Sequence, residues 1–473
     1  MSVVGAIMVP HPPIILPEVG RGEEAAIRKT TNSYKAAARL VKELAPDTIV
    51  LSSPHQIMFN DYFNIASGNG AKGSMSRFRA GSVKFQVDYD QAFIRELCTL
   101  AEDGGLPAGT LGQRDPDLDH GAMVPLYFIR KAFPEFRLVR LGLSGLSYED
   151  HYRLGRMVQE TAEKLDRRVV FVGSGDLSHK LKEDGPYGFV EEGPEYDERI
   201  MDVMGRAAFD ELFDFSESFC NKAAECGHRS FLIMAGALDG KALETRQLSH
   251  EGTFGVGYGI CTYTVTGTDP SRRFLLKAEE RKRDRIQASR NAEDVYIKLA
   301  RKTIETFIRD DRIISLYSDL SDIAPDGLPA ELTERQAGAF VSLHKNGALR
   351  GCIGTIQSTK YCVAEEIIAN AISAATRDPR FPPVGKQELE ELDISVDILG
   401  PTERISSPAE LDVKKYGVIV TKGRRRGLLL PNLDGVDTVE DQIFIAKQKA
   451  GLDPDEENVT LERFEVVRHE CHM

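Results

Sequence analysis

Hydrophobic positions in the first half of the chain fall in short unbroken runs, separated by stretches of helical period. Val3-Val4-Gly5-Ala6-Ile7-Met8-Val9, Thr48-Ile49-Val50-Leu51-Ser52-Ser53 and Val169-Val170-Phe171-Val172-Gly173 are such runs. A short apolar run bounded by turn residues reads as a strand covered on both faces, the usual state in a parallel sheet. A further strand is predicted near 137–143. Between the runs, 23–44 carries Ala26, Ala37, Leu40, Val41 and Leu44 at helical spacing and stops before Pro46. Helices are also predicted near 90–103, 121–133, 148–165, 193–206 and 227–239. The half closes on a strand over 253–265, where Gly255, Gly257 and Gly259 alternate and leave one face open to close approach. Strand–helix alternation predicts an α/β domain with a central sheet flanked by helices.

The pattern changes after about residue 268. Residues 271–290 hold eight Lys or Arg and three Asp or Glu, and the mixture predicts a solvated helical connector over 269–290. From 291 to 473 the chain reads as α+β. A helix is predicted near 292–308, and 338–344 and 349–356 form a hairpin around Asn346-Gly347. A helix follows at 363–376, strands at 393–399, 417–421 and 427–431, and a helix at 439–450 that ends on Gly451. The expected domains are 1–268 and 291–473.

Histidines sharpen the first domain. His11 and His55 each follow an apolar run, and the third run leads into Ser174-Gly175-Asp176-Leu177-Ser178-His179. Open α/β sheets hold their ligands beyond the strand carboxyl ends, so three histidines converge on one edge. A metal site or an acid–base site is expected there. His11, His55 and a carboxylate, Glu251, would leave open positions on a metal, which suits non-haem Fe(II), with Zn or Cu as alternatives. Spacing alone does not separate Glu251 from its neighbour His250. His179 is the candidate acid–base group, since a free imidazole titrates near neutrality, and Asp176 is placed to orient an imidazole. His120, in Asp119-His120-Gly121 before an apolar helix, reads either as a solvent-facing helix start or as a pocket residue. Cys226 and His228 read as a helix start with a buried cysteine, with pocket lining as the alternative. His151, in a charged helix start, reads as solvated.

In the second domain, Arg350, Arg377 and Arg380 suggest an anion pocket around Cys352. That cysteine is either a thiolate nucleophile or, the expectation here, a buried core residue. His469, Cys471 and His472 read either as a metal-binding tail or, the expectation here, as a frayed terminus.

Composition narrows the class. With 41% hydrophobic and 28% charged residues and a net charge of −13, the chain lacks the basic face that nucleic acid or an anionic membrane requires. No run of 18 apolar residues and no signal-peptide pattern is present, and seven cysteines without framework spacing fit a reducing cytoplasm.

Several motifs carry a family likeness. Pro10-His11-Pro12, Ser53-Pro54-His55, Asp119-His120-Gly121 and Gly175-Asp176-Leu177-Ser178-His179 resemble those of the class III extradiol ring-cleaving dioxygenases, the LigB-like fold, and most of all its Memo-like branch. The resemblance implies Fe(II) held by His11, His55 and Glu251, with His179 as acid–base group and His120 orienting substrate or dioxygen. In Memo-like proteins the third ligand position changes. Leu349-Arg350-Gly351-Cys352-Ile353-Gly354-Thr355, Arg377-Asp378-Pro379-Arg380-Phe381-Pro382-Pro383 and Arg426-Gly427-Leu428-Leu429-Leu430-Pro431 resemble the AMMECR domain. The order of the two domains is similar to that in the AmmeMemoRadiSam system, whose members are encoded beside a radical S-adenosylmethionine protein. The likeness implies an oxidoreductase acting on a catecholic or related small molecule. The alternative is a metal-binding adaptor, or an oxygen-independent metalloenzyme, working with such a radical partner.

Overall fold

The computed structural model describes residues 2–112, 117–345, 347–433 and 435–471. The chain divides into two compact units, Met1–Arg281 and Lys282–Met473. The division falls inside a helix, Phe274–Ala292, that occupies the basic stretch read as a connector.

In the first unit, the apolar runs form β1 (Val3–Val9) and β2 (Thr48–Ser53), joined through α1 (Arg28–Leu44). A hairpin follows, β3 (Gly70–Met75) and β4 (Ala80–Asp88), then α2 (Gln91–Asp103) and α3 (His120–Ala132). The chain continues through β5 (Arg137–Gly142), α4 (Tyr148–Lys164), β6 (Val169–Ser174), α5 (Glu192–Arg206) and α6 (His228–Ala237). It closes with β7 (Lys241–Glu251) and β8 (Tyr258–Thr268). The main sheet has the order β5-β2-β6-β1-β8-β7. The first four strands are parallel, and β8 turns the sheet antiparallel. Every residue of β2 and β6 is buried, which is why both strands read as unbroken apolar runs.

Two expectations are corrected by the structure, and two elements go beyond them. The helix expected from residue 23 begins with a 3-10 turn, Glu23–Ile27, and becomes α-helical at Arg28. The closing strand starts at Tyr258 rather than 253, and it pairs with β7, which was not predicted. Its alternating glycines do serve close approach: a Cβ on Gly257 would collide with the Asp197 carboxylate, and one on Gly259 with Met201. The hairpin β3–β4 was also not predicted.

The second unit holds α7 (Val295–Asp310), β9 (Ala339–Lys345), β10 (Ala348–Gly354), α8 (Val363–Thr376) and β11 (Leu392–Leu399). It then runs through β12 (Glu403–Ile405), β13 (Gly417–Lys422), β14 (Arg425–Leu429), α9 (Val439–Lys449), β15 (Thr460–Phe464) and β16 (Val466–His469). Two four-stranded sheets result, β10-β9-β11-β16 and β12-β15-β13-β14. The expected hairpin is β9–β10, although Asn346 of its turn lies outside the described residues. The C-terminus is not frayed at His469, which lies in β16, pairs with Val396 of β11 and stacks on Tyr296 at 3.7 Å; His472 lies outside the described residues. No helix among the described residues is long and apolar enough to cross a membrane.

Candidate metal centre

Strands β1, β2 and β6 are neighbours and run parallel, so the residues beyond their carboxyl ends meet at one edge. His11 Nε2 lies 3.0 Å from His55 Nε2. The tautomer of His11 follows from its other nitrogen. Ser174 Oγ donates to the Gly121 carbonyl at 2.6 Å, and a carbonyl only accepts. The 3.0 Å contact between Ser174 Oγ and His11 Nδ1 therefore has the ring nitrogen donating. Nε2 is left with a lone pair aimed at His55. Fixing a ligand imidazole through its far nitrogen is the usual device at metal sites.

Cys226 is the third group close enough to share an ion with this pair. Its Sγ is 3.7 Å from His11 Nε2, and the ligand atoms of His11, His55 and Cys226 all lie within 4.8 Å of one another. The loop reaches this place because two glycines touch: a Cβ on Gly175 would sit 2.1 Å from the Gly227 Cα. The Cys226 amide donates to the Asp176 carbonyl at 3.3 Å, and the Asp176 amide donates to Sγ at 3.3 Å. Two imidazole nitrogens and a thiol sulfur within reach of one point fit a soft or borderline divalent metal.

Glu251 is not brought to this group. Its carboxylate accepts from the amide and hydroxyl of Thr30, at 2.6 and 2.5 Å, and so satisfies a free donor at the start of α1. The reason is positional. Glu251 ends the edge strand β7, two strands from β1, and two strand spacings are about 10 Å. His250 is engaged as well, with Nε2 2.7 Å from Asp197 Oδ2.

The remaining histidines surround the pair. His120 heads α3 and packs against His55, with 3.9 Å between ring centroids and the planes tilted by 31°. It is held there by Asp119, which caps α3 by accepting from the Ala122 amide and also accepts from Ser53 Oγ at 2.6 Å. Ser53 Oγ in turn accepts from the His55 amide at 3.2 Å. Burial, with the neighbouring His55, pushes both His11 and His120 down to about 3, so both rings are neutral. His179 is lowered too, first by burial, while Asp176 opposes the shift. Its Nε2 is buried with no hydrogen-bond partner, and Tyr187 packs over the ring at 5.1 Å. Asp176 is pushed up to about 6 by burial, and its Oδ1 accepts from the His11 amide at 2.7 Å. That contact makes Asp176 a support for His11. The Cys226 thiol is pushed up by burial and by the carboxylates of Asp176 and Glu225.

Beside the histidines opens a cavity of about 960 Å³, walled by His55, Asp119 and His120 and by the hairpin β3–β4. Pockets of roughly 300–1,000 Å³ suit small molecules. His151 and His228 take no part. His151 is fully buried, contrary to the solvated reading; its Nε2 accepts from the Ser144 amide and its Nδ1 faces the Ser147 carbonyl. His228 Nε2 bonds the Leu212 carbonyl.

In the second unit the expected anion pocket is not assembled. Arg350 is committed to Glu388 through two bonds of 2.9 Å and to the Pro382 carbonyl. Arg380 is committed to Asp378, and Arg377 is the C-cap residue of α8. Cys352 is half-buried rather than core, because β10 is an edge strand; Asp378 covers that edge by accepting the Cys352 amide at 2.8 Å. Arg350 holds the Glu388 carboxyl at about 2, below its ordinary 4.5. A depressed acid contributes stability above its unfolded pKa and loses it as pH falls through the folded one. Arg350→Ala should therefore cost about 1–2 kcal/mol at pH 7. The gap between variant and wild type should narrow as pH falls below 4.5. Urea unfolding at a series of pH values measures this, and a gap independent of pH refutes it.

The family described as the catalytic LigB subunit of aromatic ring-opening dioxygenase matches residues 5–261, and AMMECR1 matches 297–469. A protein of Clostridium acetobutylicum is 41% identical over 477 residues, covering 99% of each chain. One from Thermotoga maritima is 52% identical over 179 residues, 37% of this chain and 98% of its own. A solved structure of an uncharacterized protein from Pyrococcus horikoshii is 33% identical, covers 37% of this chain and 89% of its own, and has a TM-score of 0.34. With one family match spanning more than half of its length and a relative of the same extent, this chain belongs to the LigB family of aromatic ring-opening dioxygenase subunits, and it continues into an AMMECR1 domain.

Proposed function

We propose that the first domain is a metal-dependent oxidoreductase acting on a catecholic or related small molecule, with His11, His55 and Cys226 as the protein ligands. The observation that carries this reading is the lone pair of His11 Nε2 facing His55 Nε2 at 3.0 Å beside a substrate-sized cavity. Fe(II) is the first choice of metal, and Zn or Cu are the alternatives. When bound, the metal supplies a positive centre for an ionised substrate oxygen and, if it is iron, electrons for oxidation. The rest is done by the chain. His120 and Phe78, set edge to face with centroids 5.5 Å apart, offer a flat ring an aromatic corner. His179, neutral and with Nε2 unpartnered, accepts the proton of a substrate hydroxyl. Asp176 holds the His11 backbone, and Ser174 holds its tautomer.

Metal analysis of protein purified without oxygen, followed by oxygen uptake with a panel of catechols, tests the proposal. Iron near one per chain with uptake supports it. A second reading is favoured by the sulfur donor, which suits Cu or Zn better than a carboxylate does. In that reading the domain is a cytoplasmic metal-binding adaptor, or an oxygen-independent enzyme, working with a radical S-adenosylmethionine protein. Stoichiometric Cu or Zn with no uptake on any catechol would select it.

A further inference from the structure

The cavity beside the histidines is charged against the trend of the molecule. The chain carries a net charge of −13, yet Lys72, Arg77 and Lys84 all line this one cavity. The hairpin brings them together. Lys72 pairs with Gln86 and Ser74 with Lys84, so side chains at 72, 74, 84 and 86 share one face. Ala71, Met75, Val83 and Val87 take the other face and are buried. Arg77 sits in the turn Ser76–Phe78, near enough to His120 to weigh against its protonation.

None of the three cations has a carboxylate partner among the described residues. The two acids on the same wall are spoken for. Asp119 caps α3 and holds Ser53, and Asp117 has partners of its own. The lining therefore holds three cations against two carboxylates turned to other donors, and like charges clustered in a cleft concentrate their field on whatever enters. The aromatic surface of His120 and Phe78 adjoins them in the same lining.

We propose that the face of the β3–β4 hairpin is an anion-recognition site, in which Lys72, Arg77 and Lys84 hold the carboxylate or phosphate of an aromatic small molecule whose ring rests on His120 and Phe78. The inference deepens the proposed function by giving the substrate a charge, and it rests on that reading only for the end of the substrate that faces the metal.

The test uses metal-free full-length protein, prepared with a chelator, so its outcome does not depend on the metal reading. Benzoate, phenyl phosphate and benzamide share a ring and differ in charge. Calorimetry should show both anions binding at least roughly tenfold tighter than benzamide. That advantage should shrink between low salt and about 0.5 M salt. The triple variant Lys72→Gln, Arg77→Gln, Lys84→Gln changes exposed side chains only. It should keep the wild-type melting temperature and metal content while the advantage falls to within about twofold. Tighter binding of phenyl phosphate assigns a phosphate ester, and tighter binding of benzoate assigns a carboxylate. Equal binding of benzamide, no detectable binding of either anion, or an advantage that survives in the triple variant each overturns the proposal. Should the metal reading fail instead, the variant would show an unchanged lack of metal while the anion result stands.

Discussion

His11→Ala, His55→Ala and Cys226→Ala should each lower metal affinity by about 10²-fold or more, whereas Glu251→Gln and, on β9 of the second unit, His344→Ala should leave it intact. Each of the first three removes one of three donors that lie within 4.8 Å of one another. The two that remain hold a divalent ion weakly. Glu251→Gln is the informative control. A glutamine oxygen still accepts from Thr30, so α1 keeps its anchor while any carboxylate ligand is lost. Elemental analysis, with a chelator competition for the dissociation constant, gives the result. Loss of metal in Glu251→Gln together with retention in Cys226→Ala would return the third position to the carboxylate. Asp176→Ala should fall between the two groups, about 10–100-fold weaker, because it releases the His11 amide without removing a donor.

His179→Gln should keep its metal and lose about 10²–10⁴-fold in turnover, the span of general acid–base help. The ring lies past the end of β6, beside the strand that delivers His11, and its Nε2 has nothing to bond. A buried polar nitrogen without a partner is costly, and it is retained where a ligand completes it. Glutamine preserves size and polarity but neither takes nor gives a proton near neutrality. Oxygen uptake on the best catechol from the panel, alongside metal content, separates the roles. A His179→Gln protein that arrives without metal would make this residue a ligand, and one with full turnover would remove it from the chemistry.

The edge where the histidines meet was legible because parallel strands buried on both faces leave continuous apolar runs, and the residues just past each run must emerge at the same side. His11, His55 and His179 are placed by that alone. Cys226 was not, since its arrival depends on Gly175 and Gly227 touching across a gap in sequence that no local pattern reports. Glu251 misled for a related reason: an acid at a strand end looks the same whether it binds a metal or satisfies the start of a helix. In the hairpin, Val83, Phe85 and Val87 alternate plainly with polar residues, but Gly70 and Gly73 interrupt its first strand and mask the pairing. The arginines of the second domain were visible as residue types. The engagement of Arg350 by Glu388 and of Arg380 by Asp378 was not, because ion pairs have no periodicity to announce them.

Asp119 ties the two halves of the site into one mechanical piece. A single carboxylate holds the first turn of α3 and, through Ser53, the backbone of His55. A molecule that presses on His120 from the cavity therefore presses, through Asp119 and Ser53, on the segment that carries His55. In this domain a substitution that shifts the start of α3 should also move the backbone that carries His55.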